Sequence, residues 1–236
     1  MQYCIVNLIS QSASFRNPDF QNFHKSYILP PPTTIIGILG AALGLNPKAA
    51  QIFFYENSIK IGISGKSSGK VTDLWKYNDF KNGSIMLREI YFYNEYIIIF
   101  GSEDNTEINR IYQSLVNPVY TLTMGNSDSL AFIKKVEKPA EYEIINECRI
   151  ANCLVNGNLL KDVIDNINSG FELSVYSSSS PICFDLPVKF AYEGDYAMRR
   201  VIKRMPFSFI SREMTLNFKI QGIKYNDIFI PLLDIC

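Results

Sequence analysis

Pro30-Pro31-Pro32-Thr33-Thr34-Ile35-Ile36-Gly37-Ile38-Leu39-Gly40-Ala41-Ala42-Leu43-Gly44 reads as an extended approach followed by a helix with a glycine face. Three prolines cannot enter a helix interior, so the chain arrives extended. Thr33 or Thr34 is placed to cap the first turn. Ile35, Ile36, Leu39 and Leu43 recur at helical spacing on one side, and Gly37, Gly40 and Gly44 fall on another. An interior glycine costs a helix about 1 kcal/mol relative to alanine. Two of them imply close approach to the bare backbone, by a packed sheet or by a ligand. Gly44 suits the left-handed residue that ends a helix.

Upstream, Gln2 to Ser10 reads as a strand buried on both faces. The long segment from Gln11 to Pro32 carries Phe15, Arg16, Phe20, Phe23, His24, Lys25 and Tyr27. A loop of this length is either functional or a cover for the core edge. Downstream, Ile59, Ile61 and Ile63 alternate in a second strand, Ser58 to Ser64. Gly65-Lys66-Ser67-Ser68-Gly69-Lys70 misses the phosphate-loop spacing, because positions 60 and 64 are Lys and Ser, and reads as a flexible basic linker. Asn82-Gly83, between Val71–Lys81 and Ser84–Tyr93, signals a hairpin through a type I′ turn. Its arms carry Trp75, Lys76, Tyr77, Phe80, Lys81 and Arg88, with Lys70 at the foot. Interleaved aromatic and basic side chains suit single-stranded nucleic acid, with rings against bases and cations against phosphates. An amphipathic hairpin facing the core is the plainer alternative.

Tyr91 to Phe100 reads as a third strand. Asp104-Asn105-Thr106-Glu107 opens a helix whose stripe Ile108, Ile111, Tyr112 and Leu115 belongs to a core and ends before Pro118. Val119 to Met124 reads as a fourth strand. The order predicts an α+β, ferredoxin-like (RRM-like) β-α-β-β-α-β domain over 1–125, with an inserted hairpin at about 70–93. A β-rich region, 126–236, follows. In it, Glu137 to Glu147 is acidic and a poor RNA surface. Leu160, Val163, Ile164 and Ile167 suggest a short helix stopped by Gly170, and Ser177 to Ser180 a loop. Arg199, Arg200, Lys203, Arg204 and Arg212 form the densest basic patch, able to contact several phosphates. Met214–Gln221 and Ile228–Leu233 read as closing strands.

Composition supports a real core, with 47% hydrophobic and 19% charged residues. Lys plus Arg equals Asp plus Glu at 23 each, so an RNA site must come from local segregation of charge. No apolar run reaches a membrane span and no signal-peptide pattern opens the chain, which predicts a soluble cytoplasmic protein. The five cysteines form no CxxC pair and the chain has one histidine, which predicts no metal site and no cofactor. Every Ser-His-Asp or Cys-His scheme would have to use His24.

Three segments resemble a known family. These are Ala13-Ser14-Phe15-Arg16-Asn17-Pro18-Asp19-Phe20 with His24-Lys25-Ser26-Tyr27 through Gly44, then Asp73-Leu74-Trp75 through Arg88-Glu89-Ile90-Tyr91, then Met124-Gly125-Asn126-Ser127-Asp128. Together they are similar to the "Cas five" family of CRISPR-associated proteins, in the repeat-associated (RAMP) superfamily; Leu186-Pro187 to Arg204 is similar more loosely. The resemblance implies a ferredoxin-like domain with a thumb hairpin, in a subunit of a type I, Cascade-like interference complex. Such a subunit holds the 5′ handle of the guide RNA while the thumb wedges the RNA near the spacer. It implies as partners the guide RNA, the "Cas seven" backbone subunit, the large subunit and target DNA. Carried over, the thumb is Trp75 to Arg88, and the handle surface is Phe15, Arg16, His24, Lys25 and the Gly37–Gly40 face. Where other members of the family carry a basic residue in the 124–128 turn, this chain has Asn126. One branch of the family cuts precursor RNA without metal through a tyrosine, lysine and histidine. His24, Lys25 and Tyr27 are the candidates here for that alternative, although their order does not match the cutting branch. A protein-only scaffold is a third reading, and predicts no salt-dependent RNA affinity.

Overall fold

A computed structural model describes residues 1–78, 83–160, 181–194 and 198–235. Phe80, Lys81 and Asn82, the expected helix beyond Leu160 and the Ser177–Ser180 loop lie outside the described residues. The centre of the fold is β1 (Gln2–Ala13), whose Tyr3, Cys4, Ile5, Val6 and Leu8 are all buried. It runs antiparallel to β6 (Gly83–Ser102) on one side and to β7 (Phe132–Val136) on the other. Next to β6 lies β5 (Lys60–Asn78), giving the antiparallel order β7-β1-β6-β5. Both faces of β1 are covered along its first half, which is why Tyr3–Ile9 is apolar but for Asn7.

One face is covered by α1 (Pro32–Leu43), α2 (Pro47–Glu56) and α3 (Asn105–Val116). Ile35, Leu39, Phe54, Ile108 and Ile111 join Val6, Leu8, Ile61 and Ile98 in the largest apolar cluster. Each fully buried side chain of this size contributes about 1.5–3 kcal/mol. The other face, at Tyr3, Ile5 and Ile99, is covered by Ile223, Tyr225 and Ile230 from β12 (Met214–Tyr225) and β13 (Ile228–Leu233). The remaining strands extend the same sheet. Here β8 (Ile144–Ile150) pairs with β12, while β9 (Cys153–Asn156) joins β5 to the long hairpin β10 (Ile182–Glu193)–β11 (Met198–Ile210). The architecture is therefore mixed α/β with a mostly antiparallel sheet.

The α1 stretch departs from expectation at its start and in its neighbour. Neither Thr33 nor Thr34 caps it; Pro31 is the N-cap residue and Pro32 the first helical one, where a missing N–H and a fixed φ suit the helix. At the other end Gly44 is left-handed at φ +74°, and Leu45 N–H donates to Gly40 O at 2.8 Å. The close approach at Gly40 is to another helix rather than to a sheet or ligand. A Cβ there would lie 2.5 Å from Ala50 Cβ on α2. That helix went unread, although Asn46 accepts from Ala49 N–H at 2.8 Å as its cap and Pro47 opens it. In α3, by contrast, Asp104 caps as expected, accepting from Thr106 N–H at 2.7 Å.

Two strand expectations change. Val119–Met124 is not the fourth strand. Val119 and Tyr120 donate their N–H groups to Ala42 O and Ala41 O, so this segment satisfies the orphan carbonyls ending α1. The edge of β1 is taken by β7 instead. Gly65–Lys70 is not a linker but part of β5, paired with β6 residue by residue from Lys60↔Gly101 to Asn78↔Gly83. The thumb is thus the far half of two continuous core strands. It leaves the sheet where β1 ends, at the Ala13↔Tyr91 pair.

Candidate nucleic-acid interface

The loop from 14 to 31 folds back on the thumb through three short strands. Phe15–Arg16 (β2) pairs with Ser26–Tyr27 (β4), and Phe23–His24 (β3) lies parallel to β6 beside Leu87 and Arg88. Extended alternation sends neighbours to opposite sides. Phe15 and Tyr27 enter the core, where Phe15 meets Tyr96 edge-on and Tyr27 stacks on Phe209 at 5.3 Å. Phe15 is therefore not a base-stacking surface residue. Burial pushes the Tyr27 hydroxyl up to about 12. Arg16 is exposed, and Lys25 lies with its Nζ 4.9 Å from the Phe20 ring.

His24 turns to the thumb. Only 5% of its surface is exposed, its ring lies 5.5 Å from that of Trp75, and its Nε2 has no hydrogen-bond partner among the described residues. Burial first, then the Arg16 and Arg88 guanidiniums, lower its pKa from the ordinary 6.5. His24, Lys25 and Tyr27 do not converge on one open site. Trp75 is part-exposed and Lys76 exposed on the thumb. Arg88 is buried at 6%. It is bound to Asp73 at 3.2 Å and Asp128 at 3.0 Å and lies 5.3 Å from the Trp75 ring. Lys70 is held by Glu89 at 2.9 Å. Neither cation is offered to a phosphate as the sequence suggested.

The open cationic surface lies on the other side of the 123–129 turn. A cleft of about 300 Å³ is lined by Thr33, Thr34, Gly37, Thr123, Gly125 and Arg199. An adjoining groove of about 260 Å³ shares Thr33, Gly37 and Arg199 and adds Tyr120 and Tyr192. Gly37 is exposed, and a Cβ there would meet nothing within 4 Å. Gly125 is left-handed at φ +97°, where a Cβ would strike Ser14 O, so the turn needs glycine to sit against the loop. Arg199 reaches the cleft across the Phe190 ring, its guanidinium 4.7 Å from the centroid. The hairpin that carries it is fixed to α2 by Gln51, which exchanges two 2.8 Å hydrogen bonds with the Phe190 backbone. Arg200 is exposed, and Arg204 donates to Asp185 O at 2.9 Å.

The structure therefore joins Gly37 to Arg199, which lie far apart in sequence, and separates Gly40, Phe15, Tyr27 and Arg88 from the open surface. Tyr120, 59% exposed, and Tyr192 were not singled out from sequence. Tyr120 was hidden in the run read as a core strand. A larger cavity, about 590 Å³, lies between β5, β8 and the β12–β13 turn. Its cations Lys66, Arg149 and Lys224 are each paired, to Glu95, Glu213 and Asp227, so it is a poor phosphate site.

Comparison with known proteins bears on this arrangement. Residues 4–215 match the family model described as CRISPR-associated protein (Cas_Cas5). No curated protein matches the sequence. Among solved structures, a chain of a CRISPR RNA-guided surveillance complex aligns with a TM-score of 0.53 at 10% identity, covering 92% of each chain. A CRISPR protein from Archaeoglobus fulgidus aligns with a TM-score of 0.52 at 13% identity, covering 99% of this chain and 100% of the other. A further Cas protein, 16% identical, aligns over 53% of this chain and 57% of its own length with a TM-score of 0.37 and carries no argument. At these identities the likeness is one of fold.

Proposed function

Because the chain belongs to the CRISPR-associated Cas5 family, we propose that it is a guide-RNA-binding subunit of a type I, Cascade-like complex, holding the 5′ handle of the RNA. The observation that carries this reading is the cleft where Gly37, Gly125 and Arg199 meet. The bare, exposed backbone at Gly37 lets a ribose-phosphate chain approach closely, while Gly125 lets the 123–129 turn sit against the loop and form the wall of the cleft. Threonine hydroxyls and a guanidinium supply donors for phosphate. Tyr120 and Tyr192 beside them offer ring faces for unstacked bases. The strand order β7-β1-β6-β5 with α1 and α3 on one face supports a ferredoxin-like core that takes its edge strand β7 from the 126–236 region, the rest of which packs on it. The thumb would wedge the RNA at Trp75, with the backbone subunit, the large subunit and target DNA as neighbours in the assembly.

The test is a salt titration of the purified chain with its own repeat RNA in EDTA, read on native and denaturing gels. Intact, bound RNA is expected. Arg199→Ala should flatten the slope of log affinity against log salt by roughly 0.7, the share of one phosphate contact on a single strand. Gly37→Leu, which fills the cleft from an exposed helix position, should abolish handle binding. Full affinity in Gly37→Leu with an unchanged slope in Arg199→Ala would overturn the reading. Cleavage that vanishes in His24→Ala would replace it with the processing nuclease.

A further inference from the structure

We propose that Arg88 and Glu89 are positioning residues that clamp the thumb from both faces and set its direction relative to the Gly37–Gly125–Arg199 cleft. They are adjacent on β6, so their side chains leave the ribbon on opposite faces. They sit immediately beyond the point where β1 stops pairing with β6, at Tyr91. Among the described residues, the ribbon outward from there has only the two-residue β3 paired beside it. A bare two-stranded ribbon holds no fixed direction of its own. Its direction is therefore set by whatever grips its base.

On one face, Arg88 ties β5 to the 123–129 turn by donating to Asp73 and Asp128, and it covers Trp75. On the other, Glu89 accepts the Ser26 N–H at 3.1 Å and Lys70 Nζ at 2.9 Å, fixing the loop to β5. Ser14 joins the two grips. Its hydroxyl donates to Glu89 O at 2.8 Å and its N–H to Met124 O at 3.0 Å. Both charged side chains are over 90% buried and both are paired. A phosphate reaching Arg88 would have to displace a carboxylate, so positioning accounts for the residue where contact does not. The turn that receives Arg88 through Asp128 also lines the cleft through Gly125. Thumb and cleft are thereby held at a fixed spacing along any RNA that occupies both, a consequence that rests on the RNA-binding reading.

Trp75 is the chain's single tryptophan and packs on Arg88, so its fluorescence reports the clamp without RNA. Acrylamide quenching would be measured on the free chain for wild type, Arg88→Met, Arg88→Lys and Asp128→Asn. Arg88→Met should raise the quenching constant roughly twofold, since it removes the guanidinium that packs over Trp75 and ties β5 to the 123–129 turn. Asp128→Asn should give a smaller rise in the same direction, and Arg88→Lys a partial rescue. With repeat RNA, Arg88→Met should weaken binding while keeping the wild-type salt slope. Unchanged quenching in Arg88→Met and Asp128→Asn would overturn the clamp, and a slope lowered by roughly 0.7 in Arg88→Met would make Arg88 a phosphate contact instead. Should Arg88→Met fail to fold, Asp128→Asn decides the matter, because its carboxylate is half exposed. Should the wild type bind no RNA, the functional reading fails while the quenching comparison still tests the clamp.

Discussion

Replacing each of the two interior glycines of α1 by alanine should move stability in opposite directions. At Gly37 the new methyl meets nothing within 4 Å. The helix then gains alanine's propensity, and stability rises by about 0.5–1 kcal/mol. At Gly40 the new Cβ lies 2.5 Å from Ala50 Cβ, well inside the 3.5–4.0 Å or so of an ordinary carbon contact. Neither atom can rotate away, because each is fixed by its own helix backbone. The two helices must therefore separate by about 1 Å or bend. Overpacking at the upper end of its usual range costs about 3 kcal/mol. The propensity gain offsets about 1 kcal/mol of that, leaving about 2 kcal/mol of net destabilisation. For a chain of this length each kcal/mol shifts the melting temperature by about 2–4 °C. Calorimetry should then show Gly40→Ala melting about 4–8 °C lower and Gly37→Ala about 1–4 °C higher. A Gly40→Ala variant as stable as wild type would refute the argument that helix–helix approach, and not ligand access, explains that glycine.

Two further outcomes are expected. His24 has a lowered pKa in the folded chain, so the folded state prefers it neutral; its share of stability is present above about pH 6.5 and is lost as pH falls through the folded value. Denaturant titrations across that window should show the loss in wild type and a flatter profile in His24→Phe, and identical profiles would exclude the effect. Asp104→Ala removes the cap of α3, which should cost about 1 kcal/mol and lower the melting temperature by about 2–4 °C. An unchanged melting curve would mean that packing of Ile108 and Ile111 alone holds that end.

Much of the fold could be read locally because its signals are local. The alternation Ile59-Ile61-Ile63, the stripe Ile108-Ile111-Leu115 and the glycine end at Gly44 depend on spacing within one element, and each forms as its spacing requires. Membership of the Cas5 family was also legible, since it rests on contiguous residues. What tertiary contact decided is different in kind. Val119–Met124 has a strand's composition, but Val119 and Tyr120 found backbone partners in the end of α1, and Leu122 and Met124 in Ala131, Ser129 and Ser14. Gly65–Lys70 has a linker's composition, yet pairing with Tyr91–Tyr96 made it strand. Sequence placed Arg88, Phe15 and Arg199 in one class, as residues able to meet RNA. Whether a given side chain is free to do so depends on which partner reaches it from a distant part of the chain. Asp128 reaches Arg88 and Tyr27 pairs with Phe15, while the cleft beside Gly37 leaves Arg199 open. Periodicity fixes which way a residue faces on its own element; burial and charge pairing are properties of two elements together, and only the folded chain supplies the second.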